Sequence, residues 1–167
     1  MRPFITAGID TTIGAISASV LGLAESGDWE KLTENRDLAP QAFEEAVRWS
    51  SPIQSVFRTT ACDVEIGGNL IPKKSKVLMM MGAANRDPRK FESPDKYILG
   101  RKTSGHLGFG SGIHTCAGQM MARVEGEALL RVLSRRVKSI SLESDPEFEL
   151  SNTTRVLKAA KVTVVAF

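Results

Sequence analysis

The sequence predicts a mainly α-helical fold with a minor antiparallel β component. Three segments carry apolar residues at three- and four-residue spacing, which is typical of helices. Between residues 57 and 77 this spacing is lost, and short β-prone runs alternate with Gly67, Gly68 and other turn residues. The 167 residues are enough for one core and few for two, so we expect a single domain over residues 1–167.

The first predicted helix covers residues 4 to about 25, and Ser26 and Gly27 end it. Its apolar residues at helical spacing are Ile5, Ile9, Ile13, Ile16, Val20 and Leu23. Small residues crowd its faces, so we expect a large neighbour to approach it closely. Asp28 is a candidate N-cap for a short helix to about Glu34.

A stronger helix is predicted from about Pro40 to Trp49, and Pro52 lies beyond its end. The small sheet follows, and its last strand-like run is Lys76 to Met80. Residues 85–112 are rich in proline and glycine and lack periodicity. An irregular stretch of this length inside a compact domain is usually functional.

The last predicted helix is amphipathic and runs from Cys116 or Ala117 to about Arg135. Its expected apolar stripe consists of Val124, Ala128, Leu129, Val132 and Leu133. Residues 139–143 and 162–167 alternate in the manner of strands, which completes the minor β component.

The composition excludes several classes of protein. With 42% hydrophobic and 25% charged residues, the chain is neither disordered nor collagen-like. A net charge of +3 does not indicate a nucleic-acid-binding protein. Two cysteines are too few for a disulfide scaffold or a four-ligand zinc site and favour a reducing compartment. The uncharged run from Ile13 to Ala24 is too short to span a bilayer, and Asp10 interrupts the apolar start. We therefore expect a cytoplasmic protein without membrane contact, and not a secretory signal.

The most informative segment precedes the last predicted helix. Residues 109–118 fit the pattern FxxGxxxCxG, for which a chance match in this chain has a probability of about one in two thousand. Gly110, Gly112 and Gly118 allow the backbone to approach a flat ligand closely. Cys116 lies where the following helix presents unpaired N–H groups and the positive end of its dipole, which stabilise a thiolate.

This segment resembles the haem-binding loop of the cytochrome P450 family, the haem-thiolate monooxygenases. The resemblance implies haem b as cofactor, with the iron held by Cys116. The implied neighbours of the haem in this loop are Phe109, Gly110, Gly112, His114, Ala117 and Gly118. Two alternatives remain for Cys116: an inert buried residue, or a nucleophile with His106 or His114 as its base.

The start of the first helix, Ala7-Gly8-Ile9-Asp10-Thr11-Thr12, resembles the distal-helix motif of the same family. Ala7 and Gly8 leave room for a diatomic ligand over the iron. Thr11 can bond back to the carbonyl four residues earlier and open the helix, and Asp10 can pass protons inward. By resemblance, Thr11 organises hydrogen bonds to bound dioxygen and Asp10 feeds the proton relay. Polar residues on a solvated face are the simpler alternative.

Charged residues form two further groups. Glu45 and Arg48 have the i,i+3 spacing of a helical pair, and the family adds an arginine from the irregular segment, which is Arg101 here. We expect this trio to be structural. By resemblance, Arg58 and His114 bind the haem propionates, which are carboxylates. His106 is interpreted as a structural histidine, and Met79 to Met81 as core residues.

The resemblance also implies the ligands and partners. The substrate is expected to be a small organic molecule, in the manner of bacterial relatives that oxidise aromatic acids, and O2 is the co-substrate. The candidate substrate contacts are Ile9, Thr12, Ile53, Ser55, Val56, Asn152 and Thr153. A basic surface after the cysteine favours a ferredoxin as electron donor, with Arg123 as a contact, although a solvated helix face is the commoner explanation.

The resemblance covers only the C-terminal portion of a family member: distal helix, ExxR helix, small sheet, meander, Cys loop and proximal helix. We expect a haem-thiolate monooxygenase present as a partial domain. The alternatives are a truncated haem-binding remnant without turnover, and an unrelated helical domain whose Cys116 is inert.

Overall fold

The computed structural model describes residues 7–149 and 151–167. The predicted start of the first helix at residue 4, including Ile5, lies outside the described residues. The helices are α1 (Asp10–Ser26), α2 (Trp29–Glu34), α3 (Ala39–Ser50), α4 (Met81–Ala84) and α5 (Gln119–Arg136). In the part of the chain that is described, no helix combines the length and apolar character needed to cross a membrane.

The strands form four antiparallel pairs. The strands are β1 (Val56–Thr59), β2 (Val64–Ile66), β3 (Asn69–Ile71), β4 (Lys76–Met79), β5 (Val137–Leu142), β6 (Glu147–Phe148), β7 (Leu157–Ala159) and β8 (Val162–Ala166). β1 pairs with β4, β2 with β3, β5 with β8, and β6 with β7. The mainly α-helical fold with minor antiparallel β structure is therefore confirmed.

The core lies where α3 packs between α1 and α5. Gly126 permits the close contact of α5 with α3, because a Cβ there would overlap the ring of Phe43, and Gly22 lets α1 approach the irregular segment, because a Cβ there would overlap the ring of Tyr97. The isoleucine stripe predicted for α1 is not its buried face at this end: Ile9 and Ile13 are exposed, and the helix buries small residues instead. The close approach expected from the small residues is confirmed.

The predicted start and apolar stripe of α5 are wrong. The helix begins at Gln119 with Gly118 as its N-cap, so Cys116 and Ala117 precede it. Its buried positions are Gly126, Leu130 and Ser134, while Val124 is 61% exposed. The physical reason is that the Phe43 ring requires a position without a side chain, and Gly126 supplies it.

The end of α1 follows an ordinary capping rule, but the start of α2 does not. Gly27 ends α1 in the left-handed region at φ 72°, and the N–H of Asp28 donates to the carbonyl of Leu23 at 3.1 Å. Asp28 occupies the N-cap position of α2, but its carboxylate accepts from Lys31 Nζ at 2.6 Å and does not cap the helix.

Candidate active site

The cysteine loop is a closed backbone turn with an exposed thiol. The N–H of Cys116 donates to the carbonyl of Phe109 at 2.8 Å, which ties the two ends of the loop together. Gly110 has a φ of 72°, and a Cβ there would lie 2.8 Å from the His114 carbonyl oxygen. Gly112 also has positive φ, at 61°, so two loop positions need glycine for conformational reasons. Cys116 is exposed, which excludes the inert buried interpretation of this residue.

The cysteine loop rests on α3 through a buried asparagine, Asn85. Asn85 is fully buried; its Nδ2 donates to Ser51 Oγ at 2.8 Å, and its Oδ1 accepts from the N–H of Leu107 at 2.6 Å. Gly108 lies so close to Val47 that a Cβ there would overlap it. In the sequence, Asn85 belongs to the Asn85-Arg86-Asp87-Pro88 run that resembles the family's meander, but the pattern does not predict its contact with the loop.

Glu45, Arg48 and Arg101 meet in one buried ion cluster. The Glu45 carboxylate accepts from Arg48 Nε at 2.7 Å, Arg48 Nη2 at 2.8 Å and Arg101 Nε at 2.9 Å. The backbone N–H of Ile98 adds a fourth hydrogen bond at 3.0 Å. The cluster therefore holds α3 against the irregular segment that leads to the cysteine loop.

A second charged cluster, formed by Glu44, His106 and Arg123, lies beside the first. Glu44 Oε2 pairs with His106 Nε2 at 2.8 Å, and Oε1 accepts from Arg123 Nε. Burial alone would raise the pKa of the Glu44 carboxyl, but the hydrogen bonds from His106 and Arg123 and the charge of Arg123 together lower it. Arg123 also lies 4.5 Å from the centre of the Phe109 ring. His106 therefore has a hydrogen-bond partner, as expected of a structural histidine. Arg123 contacts Phe109 of the cysteine loop, in addition to its place in the predicted basic surface.

The helix is interrupted just before α1 begins, where Thr11 is predicted to open it. Gly8 and Ile9 form a turn before the helix begins at Asp10. The Thr11 hydroxyl donates to the Ala7 carbonyl, four residues earlier, at 2.7 Å. Back-bonding of a threonine hydroxyl to the carbonyl four residues earlier bends a helix, and residues 8 and 9 are in a turn at this point. Asp10 is exposed at the first turn.

The candidate propionate ligands are exposed. Arg58 on β1 donates from Nη1 to the Phe57 carbonyl at 2.8 Å and lines a cavity of about 460 Å³ with Phe57, Thr59 and Lys76. His114 lies in a 3-10 turn within the loop. Met79 and Met80 are exposed and only Met81 is buried, so the core interpretation holds for Met81 alone.

The candidate substrate contacts differ in their exposure to solvent. The segment at Ile53 is joined to the chain near Thr154: Ile53 and Thr154 form a β-bridge, Gln54 N donates to the Thr153 carbonyl at 2.7 Å, and Ser55 Oγ donates to the Asn152 carbonyl at 3.3 Å. Ile9, Asn152 and Thr153 are exposed and Ile53 and Val56 are half-buried. Thr12 and Ser55 are buried, so the structure does not place these two on the open surface.

The residues present fit a flat apolar group that takes one thiolate ligand. Beside the exposed Cys116, Ile113 is 98% exposed, and a Cβ at Gly112 or Gly118 would meet no other atom within 4 Å. The family model described as cytochrome P450 matches residues 28–164. The chain belongs to the cytochrome P450 family. Members of this family bind haem b, and named relatives are hydroxylases.

Individual relatives agree with this assignment. The chain is 47% identical to the cytochrome P450 CYP199A2 of Rhodopseudomonas palustris, over 97% of this chain and 40% of the relative. It is 42% identical to the beta-dihydromenaquinone-9 omega-hydroxylase of Mycobacterium tuberculosis, over 96% of this chain and 33% of the relative. The crystal structure of CYP108D1 from Novosphingobium aromaticivorans matches 96% of this chain and 39% of that chain, with a TM-score of 0.92 and 36% identity. The chain thus spans about 40% or less of the length of these relatives.

Proposed function

We propose that this chain supplies the haem-binding and oxygen-activating part of a haem-thiolate monooxygenase, as the C-terminal portion of the domain. The observation that carries the proposal is the cysteine loop: an exposed thiol follows two glycines of positive φ, and its backbone N–H is tied to Phe109. This geometry presents one sulfur on an open, apolar surface. It suits an axial ligand to a flat cofactor better than a nucleophile, because His106 already bonds Glu44 and Gly108.

Each site residue has a defined task in this proposal. Cys116 holds the iron as thiolate, and Phe109, Gly110, Gly112, Ala117 and Gly118 form the surface around it. Arg58 and His114 bind the propionates, since guanidinium and imidazole nitrogens donate to carboxylates. The haem, when bound, supplies the binding and reductive activation of O2.

In this proposal, the start of α1 transfers protons and leaves room for bound dioxygen. Ala7 and Gly8 carry little side-chain bulk, and with the turn at Gly8 and Ile9 they leave room for a diatomic ligand over the iron. The Thr11 hydroxyl, anchored on the Ala7 carbonyl, keeps its lone pairs available to accept a proton-donating water. Asp10, exposed at the first turn, exchanges protons with solvent and passes them inward.

The substrate class and the electron donor are part of the proposal. We infer a small organic substrate, with aromatic acids as the first class to test, bound near Ile9, Ile53, Val56 and the exposed residues Asn152 and Thr153. A ferredoxin is the proposed electron donor, docking on the basic surface that includes Arg123. On helix α5, Arg123 pairs with Glu44 and Arg131 pairs with Asp37. These carboxylates make the surface less positive than its sequence indicates.

The deciding experiment is ferrous–CO spectroscopy of the chain loaded with hemin. A thiolate ligand moves the main absorption band far from its position in histidine-ligated haem. Cys116→Ser is expected to abolish this band, and Cys62→Ser, which removes the other exposed cysteine, is expected to leave it intact. A thiolate-type band that persists in Cys116→Ser refutes the proposal.

A second candidate is a haem-binding remnant without turnover. The observation that favours it is the exposure of both Cys116 and Asp10, because water that reaches the bound iron would uncouple oxygen activation from substrate oxidation. NADH consumption with a ferredoxin system and an aromatic acid distinguishes the two: product formation supports the monooxygenase, and haem binding without product supports the remnant.

A further inference from the structure

One acidic side chain, Glu44, connects three elements around the cysteine loop. It projects from α3, and its two carboxylate oxygens contact Arg123 on α5 and His106, three residues before the cysteine loop. The three side chains are 21%, 25% and 7% exposed, in the order Glu44, Arg123, His106. The established ion cluster of the neighbouring Glu45 does not include any of them.

The proton positions in this cluster follow from its hydrogen bonds. The N–H of Gly108 donates to His106 Nδ1 at 3.1 Å, so Nδ1 is an acceptor. Nε2 then carries a proton, which it donates to Glu44 Oε2 at 2.8 Å. The Glu44 carboxylate therefore receives one imidazole donor and one guanidinium donor. It orients the imidazole that in turn orients the Gly108 amide.

The other arm of the cluster reaches the cysteine through Phe109. The Arg123 guanidinium lies over the Phe109 ring, 4.5 Å from its centre, and donates to Gln119 Oε1 at 2.7 Å. The carbonyl of the same Phe109 accepts the Cys116 N–H at 2.8 Å. Both contacts of the Glu44 carboxylate thus lead to side chains of residues 106–109, the segment to which Cys116 is tied by the Phe109 carbonyl.

We propose that Glu44 is a positioning residue for Cys116: acting through His106 and Arg123, it holds residues 106–109 and with them the carbonyl that anchors the cysteine. The consequence for a bound haem rests on the proposed function; the ordering of the loop does not. Glutamine in place of Glu44 has one acceptor oxygen for two donors, so one of the two arms loses its bond. The loop then opens more often.

Hydrogen exchange of the full chain tests the ordering. Glu44→Gln is expected to speed exchange of the Gly108 and Cys116 amides by about tenfold, the effect of losing one hydrogen bond to a charged group. Asp37→Asn is the matched control, because Asp37 pairs with Arg131 on the same helix α5 but has no contact with the loop. Amides in the core of α1 are expected to keep their rates in both variants. Equal loop exchange in Glu44→Gln and Asp37→Asn overturns the proposal.

Two further measurements make the outcome decisive. If Glu44→Gln fails to fold, Arg123→Lys replaces it as the test variant. Lysine keeps the charge but loses the stacking on Phe109 and the forked set of N–H donors, so faster exchange of the Cys116 amide is expected. Exchange at the parental rate overturns the proposal. In the hemin-loaded chain, Glu44→Gln is expected to convert part of the thiolate-type ferrous–CO band to the form without thiolate, and Asp37→Asn to convert none. Faster exchange with a fully parental band shows a merely structural residue and overturns the positioning role. A parent chain without the thiolate band refutes the proposed function, while the exchange data still decide the ordering of the loop.

Discussion

Replacement of Glu45 by glutamine tests the energetic role of the buried ion cluster. The side chains of Glu45 and Arg48 are 0% exposed, so neither charge has solvent to replace a lost partner. All the N–H groups of Arg48 point at oxygens: besides Glu45, it donates to the carbonyls of Asn85, Pro94 and Lys96 at 2.9, 2.8 and 3.0 Å. Glutamine keeps the volume and removes only the charge and one acceptor atom.

The expected loss is large relative to the stability of a small domain. Breaking a buried ion pair by removing one partner costs about 3–5 kcal/mol, against a total of about 5–15 kcal/mol. In glutamine, the amide nitrogen replaces an oxygen that accepts from arginine, so two donors face each other. With an m-value of about 2 kcal/mol per molar urea, the unfolding midpoint falls by about 2 M.

Urea unfolding followed by tryptophan fluorescence measures this shift. Trp49 lies one residue from Arg48 and donates to the Asp95 carbonyl at 2.8 Å, so its signal reports on this region. Asp95→Asn is the control: the Asp95 side chain is 78% exposed, and its pair with Arg86 is worth at most about 1 kcal/mol. An added osmolyte keeps the weaker variant folded at the start of the titration. A midpoint in Glu45→Gln no lower than in Asp95→Asn refutes the reasoning.

Three other predictions concern packing, pH and the proton relay. Gly126→Ala is expected to lower the free energy of unfolding in urea by about 1–3 kcal/mol, because its Cβ overlaps Phe43. Gly14→Ala, whose Cβ would lie 3.6 Å from Pro52, is expected to raise it by up to about 1 kcal/mol. A change of the same sign in both variants contradicts the packing. Hydrogen bonds from Arg89 lower the pKa of Asp87 from 3.8 to about 2, so its contribution to stability is complete above pH 3.8 and is lost as the pH falls to about 2. Asp87→Asn should therefore lose less stability than the parent between pH 5 and 2, and an equal loss contradicts the assignment. If the proposed function holds, Thr11→Ala in the haem-loaded chain with a ferredoxin system should retain the spectrum but divert electrons to hydrogen peroxide, and Thr11→Ser should restore product. A normal product yield in Thr11→Ala counts against the relay.

Short-range chemistry in the sequence predicted the local elements well. Helix α3 begins one residue before the predicted Pro40 and ends one residue after Trp49. The hairpin of β2 and β3 turns at Gly67 and Gly68, both of which have positive φ. These features depend on neighbouring residues only, since caps and tight turns are set by the conformational limits of glycine and proline.

Burial and partners could not be predicted in the same way. The apolar residues of α5 lie on more than one face, and periodicity does not show which face meets Phe43. No local pattern distinguishes Glu44, because its neighbour Glu45 completes the ExxR pattern and its partners His106 and Arg123 lie 62 and 79 residues away.

The sequence by itself determined the family, the cysteine loop and the order of the elements, because these depend on residue types at fixed spacing along the chain. The tertiary structure alone decided which helix faces are buried, that Asn85 and Glu44 support the loop, and that Thr12 and Ser55 are covered. Those properties arise from contacts between segments far apart in the chain. Packing at close range selects among faces of similar hydrophobicity by shape, and no local pattern contains that information.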